Sequence, residues 1–307
     1  MRAIAVHALG EPPVLAELPV RDPGPGELLV RVSAASVNGF DVAVLAGWVQ
    51  QYMEYRFPIV PGKDFAGTVE AVGPDVAGFA VGDRVFGVAL PPHVGSDGTF
   101  AEYVTVSAQY GVAHVPDGLD LAVAGALGLA GSAAVTALKA LALKSGQTLL
   151  VSGATGGVGA IAVQYAVASG TRVLATARRG EEAGFVLGLG AERTLDYSAD
   201  LSVEFRSAAP DGVDAVLHLA GDPQQLVEQL APGGCLASTL LFGADQHPAA
   251  VSIVADASRD VLDRLASDVA AGRLTVPITR RYPLADAPRA LADFTGGTLG
   301  KYAVDID

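Results

Sequence analysis

Cysteine is almost missing from this chain of 307 residues; the only one is Cys235. A single cysteine excludes an internal disulfide and fits a reducing compartment. Its place in the apolar run after Pro232-Gly233-Gly234 reads as a small core residue on a strand. Lysine is scarce as well, confined to Lys63, Lys139, Lys144 and Lys301. Lysine and arginine together number 20 against 33 aspartates and glutamates, a net charge of −13. With no basic face to offset phosphate repulsion, nucleic acid and anionic membrane are excluded as main partners. No targeting segment stands at the N-terminus, where charged residues and prolines break the apolar stretch early, and a cytoplasmic location is expected. One uncharged run, residues 121–138, approaches membrane-spanning length. Its alanine and glycine content and its place ahead of a nucleotide-type unit predict buried helices instead.

What the chain does contain is a glycine loop, Val151-Ser152-Gly153-Ala154-Thr155-Gly156-Gly157-Val158-Gly159. Residues 147–152 (QTLLVS) form a short apolar strand before it, and residues 158–169 have the spacing of a buried helix closed by Gly170. Residues 171–177 (TRVLATA) make a second strand, completing a βαβ unit. Glycines serve where a chain turns tightly and where backbone N–H groups approach a pyrophosphate at the positive end of a helix. Gly153, Ala154, Thr155, Gly156, Gly157, Val158 and Gly159 are therefore the expected phosphate cradle. The spacing is G-x-x-G-x-x-G with an extra glycine, not G-x-G-x-x-G, so a ligand-free glycine turn is the competing reading.

The end of the second strand should select the dinucleotide. An acidic residue there would hold the ribose 2′-OH of NAD, but the strand runs into Thr176-Ala177-Arg178-Arg179. Guanidinium groups match phosphate in charge and shape, so Thr176, Arg178 and Arg179 point to NADPH. The alternative is that the arginines are solvated surface charges, and Glu181 and Glu182 close by weaken the case.

A chain of this length can bury a large core in more than one lobe. Residues 1–118 alternate short β-rich stretches (27–32, 68–72, 100–106) with Pro and Gly turns, the texture of an irregular, mostly β lobe. Residues 119–260 alternate helix and strand, with further strands at 215–219, 235–240 and 251–254. That is the pattern of an α/β domain with a doubly wound parallel sheet. Residues 261–307 predict two helices and two short strands, 274–278 and 302–306. No internal repeat or low-complexity linker is visible.

Several further motifs lie in the first lobe: Pro25-Gly26-Glu27-Leu28-Leu29-Val30, Val37-Asn38-Gly39-Phe40-Asp41, Pro61-Gly62-Lys63-Asp64-Phe65-Ala66-Gly67-Thr68-Val69-Glu70-Ala71-Val72-Gly73 and Val81-Gly82-Asp83-Arg84-Val85-Phe86-Gly87. With the glycine loop they resemble, essentially end to end, the medium-chain dehydrogenase/reductase superfamily, in its zinc-independent quinone oxidoreductase (zeta-crystallin-like) branch. The resemblance implies a GroES-like catalytic lobe, a Rossmann domain, a C-terminal return to the first lobe and an active site in the cleft between lobes. It also implies a homodimer through the edge strand at 251–254.

Zinc alcohol dehydrogenases of the superfamily carry cysteine where this chain has Asn38, a Ser or Thr proton relay where it has Phe40, and histidine where it has Lys63. The four-cysteine structural lobe is absent too, since residues 88–111 contain no cysteine. A zinc shell needs several N, S or carboxylate ligands, so no metal is expected and alcohol oxidation is poorly supported. Reduction of a quinone or an α,β-unsaturated carbonyl compound is the coherent alternative, with NADPH delivering hydride and negative charge collecting on the carbonyl oxygen. Lys63 is the candidate to stabilise that charge; its competing role is an ion pair with Asp41 or Asp64. Asn38 is a candidate to orient substrate or cofactor, or else a turn residue satisfying local backbone.

Trp48, Tyr52, Met53 and Tyr55 cluster in a segment that borders the substrate pocket in this family, and planar acceptors stack well on aromatics. Tyr52 is a candidate proton donor, a role water would also serve, and ordinary packing of a small lobe is the alternative for the whole set. The resemblance adds Tyr197 near the adenosine 2′-phosphate, and Ala220, Leu241, Phe242 and Gly243 near nicotinamide and ribose. Two positions depart from it: Ala133 replaces a threonine, and Glu182 stands where a phosphate-binding lysine can be. His218 reads as a satisfied core histidine. A short-chain reductase is excluded because no tyrosine has a lysine four residues on. An enoyl-thioester reductase and a non-catalytic NADPH-binding or sensing protein stay open; the first should need a basic groove for which the acidic chain offers no clear candidate.

Overall fold

The computed structural model describes residues 1–306. It divides into two compact units, one of residues 1–129 and 257–306, the other of residues 130–256. The texture of the sequence places the first crossing earlier, but α2 (Leu121–Ala124) packs on strands of the first unit, and the Leu129 amide donates to Asp64 at 2.6 Å.

The first unit opens with the antiparallel pair β1 (Arg2–Ala5) and β2 (Val14–Glu17). β3 (Glu27–Ser36) follows the Pro25-Gly26 turn, and α1 (Gly39–Leu45) follows β3. Then come β4 (Asp64–Val72), β5 (Arg84–Val88), β6 (Tyr103–Ser107) and β7 (Val112–His114). The second unit begins within α3 (Gly128–Leu141) and runs β8 (Thr148–Ser152), α4 (Gly157–Ala168), β9 (Arg172–Thr176), α5 (Glu181–Gly188) and β10 (Arg193–Leu195). It continues through α6 (Leu201–Ala208), β11 (Val213–His218), α7 (Pro223–Val227), β12 (Leu230–Ser238) and β13 (Ala250–Ser252). The chain re-enters the first unit with α8 (Arg259–Ala270), β14 (Ile278–Pro283), α9 (Ala287–Thr295) and β15 (Lys301–Asp305).

In the first unit the sheet order is β14-β15-β3-β4-β5-β7, with β6 also on β3. Every pairing is antiparallel except β14 with β15. Long β3 is the hub: its Leu28, Val30, Val32 and Ala35 meet Phe65, Phe100, Val104 and Val304 in the main core. β-branched residues on a pleated surface favour this arrangement. The strand expected at 274–278 is displaced: β14 starts only at Ile278, where Arg281, Tyr282 and Pro283 find Ala303, Val304 and Asp305 as partners. Pairing with β15, not local hydrophobicity, sets its position.

The second unit is a six-stranded, all-parallel sheet in the order β10-β9-β8-β11-β12-β13. Its central strands are apolar on both faces, as a sheet covered on both sides requires; every residue of β8 is buried. Leu150, Leu174, Leu195, Val216 and Leu236 join Phe205 in its core. Strand order reverses between β8 and β11, and open α/β sheets bind ligands at the carboxyl ends of strands at such a switch point. Residues 121–138 fall in α2 and α3, and no helix among the described residues is long and apolar enough to cross a membrane.

Candidate active site

In the first unit the end of β3, the start of α1 and the start of β4 bring polar side chains into a dry interior. Asp64 is fully buried and Lys301, from β15, nearly so. The Lys301 ammonium lies 3.2 Å from Asp64 Oδ2, donates to Asn38 Oδ1 at 2.6 Å and reaches the Val37 carbonyl at 3.2 Å. Asp64 also accepts from Ser36 Oγ at 2.5 Å and from Asn38 Nδ2 at 2.9 Å. A buried charge pair is tolerable when its remaining donors and acceptors are met in this way. Neither Lys301 nor Ser36 is among the sequence candidates, and Asp64 enters there only as an alternative ion-pair partner of Lys63. The rarity of lysine is the signal that singles out Lys301; its partners lie hundreds of residues away in sequence.

Asn38 is engaged inside this network: both of its N–H bonds are used, on the Ser36 carbonyl and on Asp64. That makes its side chain a strut between β3, β4 and β15, and leaves it no free donor for a substrate. Asp41 caps α1, accepting from the Asn38 amide at 2.8 Å and the Gly62 amide at 3.1 Å. Burial above all, aided by the negative charge of Asp64, pushes its carboxyl up from 3.8 to about 7.

Lys63 is not ion-paired. Asp64 is taken by Lys301, and among the described residues no carboxylate lies within ion-pair distance of the Lys63 ammonium. The ammonium sits 4.6 Å above the centre of the Phe40 ring. Burial lowers its pKa from the ordinary lysine value, against the pull of Asp41. Lys63, Phe40, Asp41 and Met53, with Pro91, His93 and Gly95, line a recess of about 30 Å³. That is room for one water-sized group.

The four members of the expected aromatic cluster separate. Trp48 and Tyr52 are solvent-facing, at 69% and 63% exposure. Met53 and Tyr55 pack on a satellite core of Val6, Val44, Ile59 and Val94, and the Tyr55 hydroxyl donates to the Val44 carbonyl at 2.8 Å. Tyr55 is thus a packing residue, whereas Met53 reaches the Lys63 recess. The donor set does not fit a zinc ion: the positions that would supply a thiolate and an imidazole hold an amide engaged with Lys301 and a cation.

The second unit builds the glycine loop between β8 and α4. Gly153 adopts φ +84, a left-handed conformation that costs a side-chain-bearing residue, and its amide donates to Thr176 Oγ1 at 3.0 Å. A Cβ on Gly159 would stand 2.4 Å from the Gly153 carbonyl oxygen and 2.6 Å from Ala154 Cα, so only glycine lets helix and loop approach this closely. Gly156 stands at the N-cap of α4 and has no side chain to cap it, which leaves the first helical N–H groups to an outside acceptor. A loop of this shape fits a pyrophosphate. Thr176 is placed as a brace for the loop through its hydroxyl.

Two further ties hold the neighbouring turns. Ser152 Oγ donates to the Ala220 carbonyl at 2.7 Å, and His218 bridges Ser238 Oγ at 2.9 Å and the Gly221 carbonyl at 3.1 Å. Ser238 Oγ also accepts from the Leu240 amide at 3.0 Å, so one hydroxyl and one imidazole join the turns after β11 and β12. Burial lowers the His218 pKa from the ordinary histidine value. Leu241 in the second of these turns has φ 57, a strained value for leucine. Phe242 is buried beside His218, and Gly243 donates to the Gln246 side chain at 2.7 Å.

Beyond β9 the arginines are paired, not merely solvated. Arg178 binds Glu182 through Nε at 2.7 Å and through its own amide at 2.8 Å. Tyr197 donates to the same carboxylate at 3.1 Å. Arg179 lies 3.5 Å from Asp196 and 3.7 Å from Glu204.

Comparison with known proteins agrees with this architecture. The family model described as "Alcohol dehydrogenase GroES-like domain" matches residues 24–117, and that described as "Zinc-binding dehydrogenase" matches residues 157–261. A mycocerosic acid synthase-like polyketide synthase of Mycobacterium tuberculosis is 35% identical over 92% of this chain, but only 14% of that protein is covered. Quinone oxidoreductase of Lama guanicoe is 34% identical over 71% of this chain and 66% of its own length. The chain therefore spans less than two thirds of these curated relatives. Solved structures that match essentially end to end include the following two. Quinone oxidoreductase from Coxiella burnetii has a TM-score of 0.90 at 28% identity, covering 100% of this chain and 99% of that one. Mycobacterial Rv1454c complexed with NADPH has a TM-score of 0.85 at 31% identity, covering 100% of both. With a GroES-like unit, a six-stranded parallel nucleotide sheet and these relatives, the chain belongs to the medium-chain dehydrogenase/reductase superfamily, in its quinone oxidoreductase branch.

Proposed function

We propose that this protein is an NADPH-dependent reductase that adds hydride to a quinone or an α,β-unsaturated carbonyl compound and works without zinc. The observation that carries the proposal is Lys63: a desolvated ammonium, free of any ion pair among the described residues, held on the Phe40 ring at the rim of a recess. NADPH, when bound, supplies the hydride. Gly153 to Gly159 and the uncapped start of α4 would hold its pyrophosphate, braced by Thr176 and Ser152. The turns joined by His218 and Ser238 lie at the carboxyl ends of β11 and β12, where the nicotinamide end rests in open α/β sheets.

Hydride addition leaves negative charge on the acceptor's carbonyl oxygen. A fixed cation in a water-poor recess stabilises such charge more than water would, and without reorganisation. Lys63 meets that need because none of the described carboxylates lies within ion-pair distance of its ammonium. Proton delivery to the reduced acceptor falls to water or to exposed Tyr52; Asn38, engaged with Lys301 and Asp64, keeps the strand ends around Lys63 in place.

A second reading, an enoyl-thioester reductase, is favoured by the similarity to the mycobacterial polyketide synthase. Steady-state NADPH oxidation against quinones, enones and enoyl-CoA esters separates the two by kcat/KM. Lys63→Gln should lower kcat by about 10²–10³-fold with the Kd for NADPH unchanged, and Lys63→Arg should recover part of it. Protein that binds NADPH but reduces no acceptor on that panel would be a binding or sensing protein, and the proposal would be abandoned.

A further inference from the structure

The cluster beyond β9 has a feature that the proposed NADPH site does not call for. A Rossmann sheet presents the 2′ position of the adenosine ribose to the carboxyl end of its second strand, here β9. Arg178 stands there, with its side chain 58% exposed. Glu182, in the first turn of α5, is only 13% exposed and holds Arg178 tightly. Its Oε1 receives Arg178 Nε at 2.7 Å, Arg178 Nη2 at 2.5 Å and the Tyr197 hydroxyl at 3.1 Å. Its Oε2 receives the Arg178 amide at 2.8 Å. Burial works against the charge, but the bonds from Arg178 and Tyr197 prevail and hold this carboxyl below the usual glutamate range. The Arg178 plane also faces the Tyr197 ring, with 5.9 Å from the guanidinium carbon to the ring centre.

We infer that Glu182 is a specificity-determining residue that works against the 2′-phosphate and narrows the protein's preference for NADPH over NADH. The inference rests on the proposed NADPH site and deepens it. Arg178 offers Nε and Nη2 to the carboxylate, so a 2′-phosphate can use only the outer edge of the guanidinium. There it meets a dianion-to-carboxylate repulsion across a single planar group. Arg179 relieves little of this, because Asp196 and Glu204 stand on it at 3.5 Å and 3.7 Å. NADH brings a hydroxyl in place of the phosphate, which suffers no such repulsion and can donate to the same carboxylate.

Calorimetric titration of the full chain with NADPH and with NADH tests the inference. Glu182→Gln should tighten NADPH about tenfold at low salt and leave NADH within about twofold, with the gain shrinking as salt screens the exposed cluster. Glu182→Lys, which adds a cation, should raise the ratio further, and Arg178→Gln should weaken NADPH alone. An unchanged NADPH-to-NADH ratio in both Glu182 variants overturns the inference while leaving the nucleotide site standing. Parallel weakening of both nucleotides would make Glu182 a merely structural residue, which also overturns it. Failure of the unmodified protein to bind either nucleotide removes the proposed function and this inference together.

Discussion

Replacing Lys301 by methionine tests the buried network at its centre. The side chain keeps most of its volume, so the change isolates the ammonium. Asp64 is fully buried and Lys301 is 3% exposed, so neither charge has water to fall back on. Breaking one partner of such a pair costs about 3–5 kcal/mol, because the other charge is left uncompensated. Here Asp64 keeps donors from Ser36, Asn38 and the Leu129 amide. These place the loss at the lower end, about 3 kcal/mol. Urea unfolding followed by circular dichroism should show a lower midpoint at an unchanged m-value. Arg172→Met is the control: the Arg172–Glu192 pair is shorter, at 2.7 Å against 3.2 Å, but half exposed, and its loss should cost less than about 1 kcal/mol. Lys301→Met combined with Asp64→Asn should regain part of the loss, since no lone charge remains inside. A Lys301→Met cost no larger than that of the control would refute the reasoning.

Three substitutions elsewhere read out the loop, a helix and a capping carboxylate. Gly159→Ala forces a Cβ to 2.4 Å from the Gly153 carbonyl and should weaken nucleotide binding by at least about tenfold in a titration. Gly184→Ala, inside α5 with nothing within 4 Å of a new Cβ, should instead stabilise the protein by about 0.5–1 kcal/mol in the same urea assay. Asp41 titrates near 7 in the folded chain against 3.8 as an ordinary carboxylate. Between those values the folded state binds more protons than the unfolded one, so stability falls as pH rises, by at most about 4 kcal/mol. Asp41→Asn should flatten the dependence of unfolding free energy on pH from about 4 to about 7; an identical slope in the variant would remove Asp41 as its source.

Much of the second unit is legible in the chain itself because its signals are local. Alternation of helix and strand, a glycine loop between β8 and α4, and Gly170 just past that helix each follow from period and backbone freedom within a few residues. The stretches read as strands at 27–32 and 68–72 likewise fall within β3 and β4. The strand expected at 274–278 failed for the complementary reason: β14 exists where β15 pairs with it, and pairing is not a local property.

Site chemistry divides along the same line. The presence of Lys63, Asn38 and Phe40 and the lack of cysteine around them are facts of the sequence, and they leave no thiolate at these positions. That Lys63 has no ion pair among the described residues was decided by the fold, because Lys301, 237 residues from Asp64 in the chain, takes that carboxylate. Equally, Arg178 and Glu182 stand four residues apart in the sequence for anyone to see. Only the start of α5 and the approach of Tyr197 turn the glutamate onto the arginine. Composition and spacing determine which groups are available, since those are written residue by residue. Which charges neutralise one another depends on distances of a few ångströms between distant segments, and those exist only once the chain has folded.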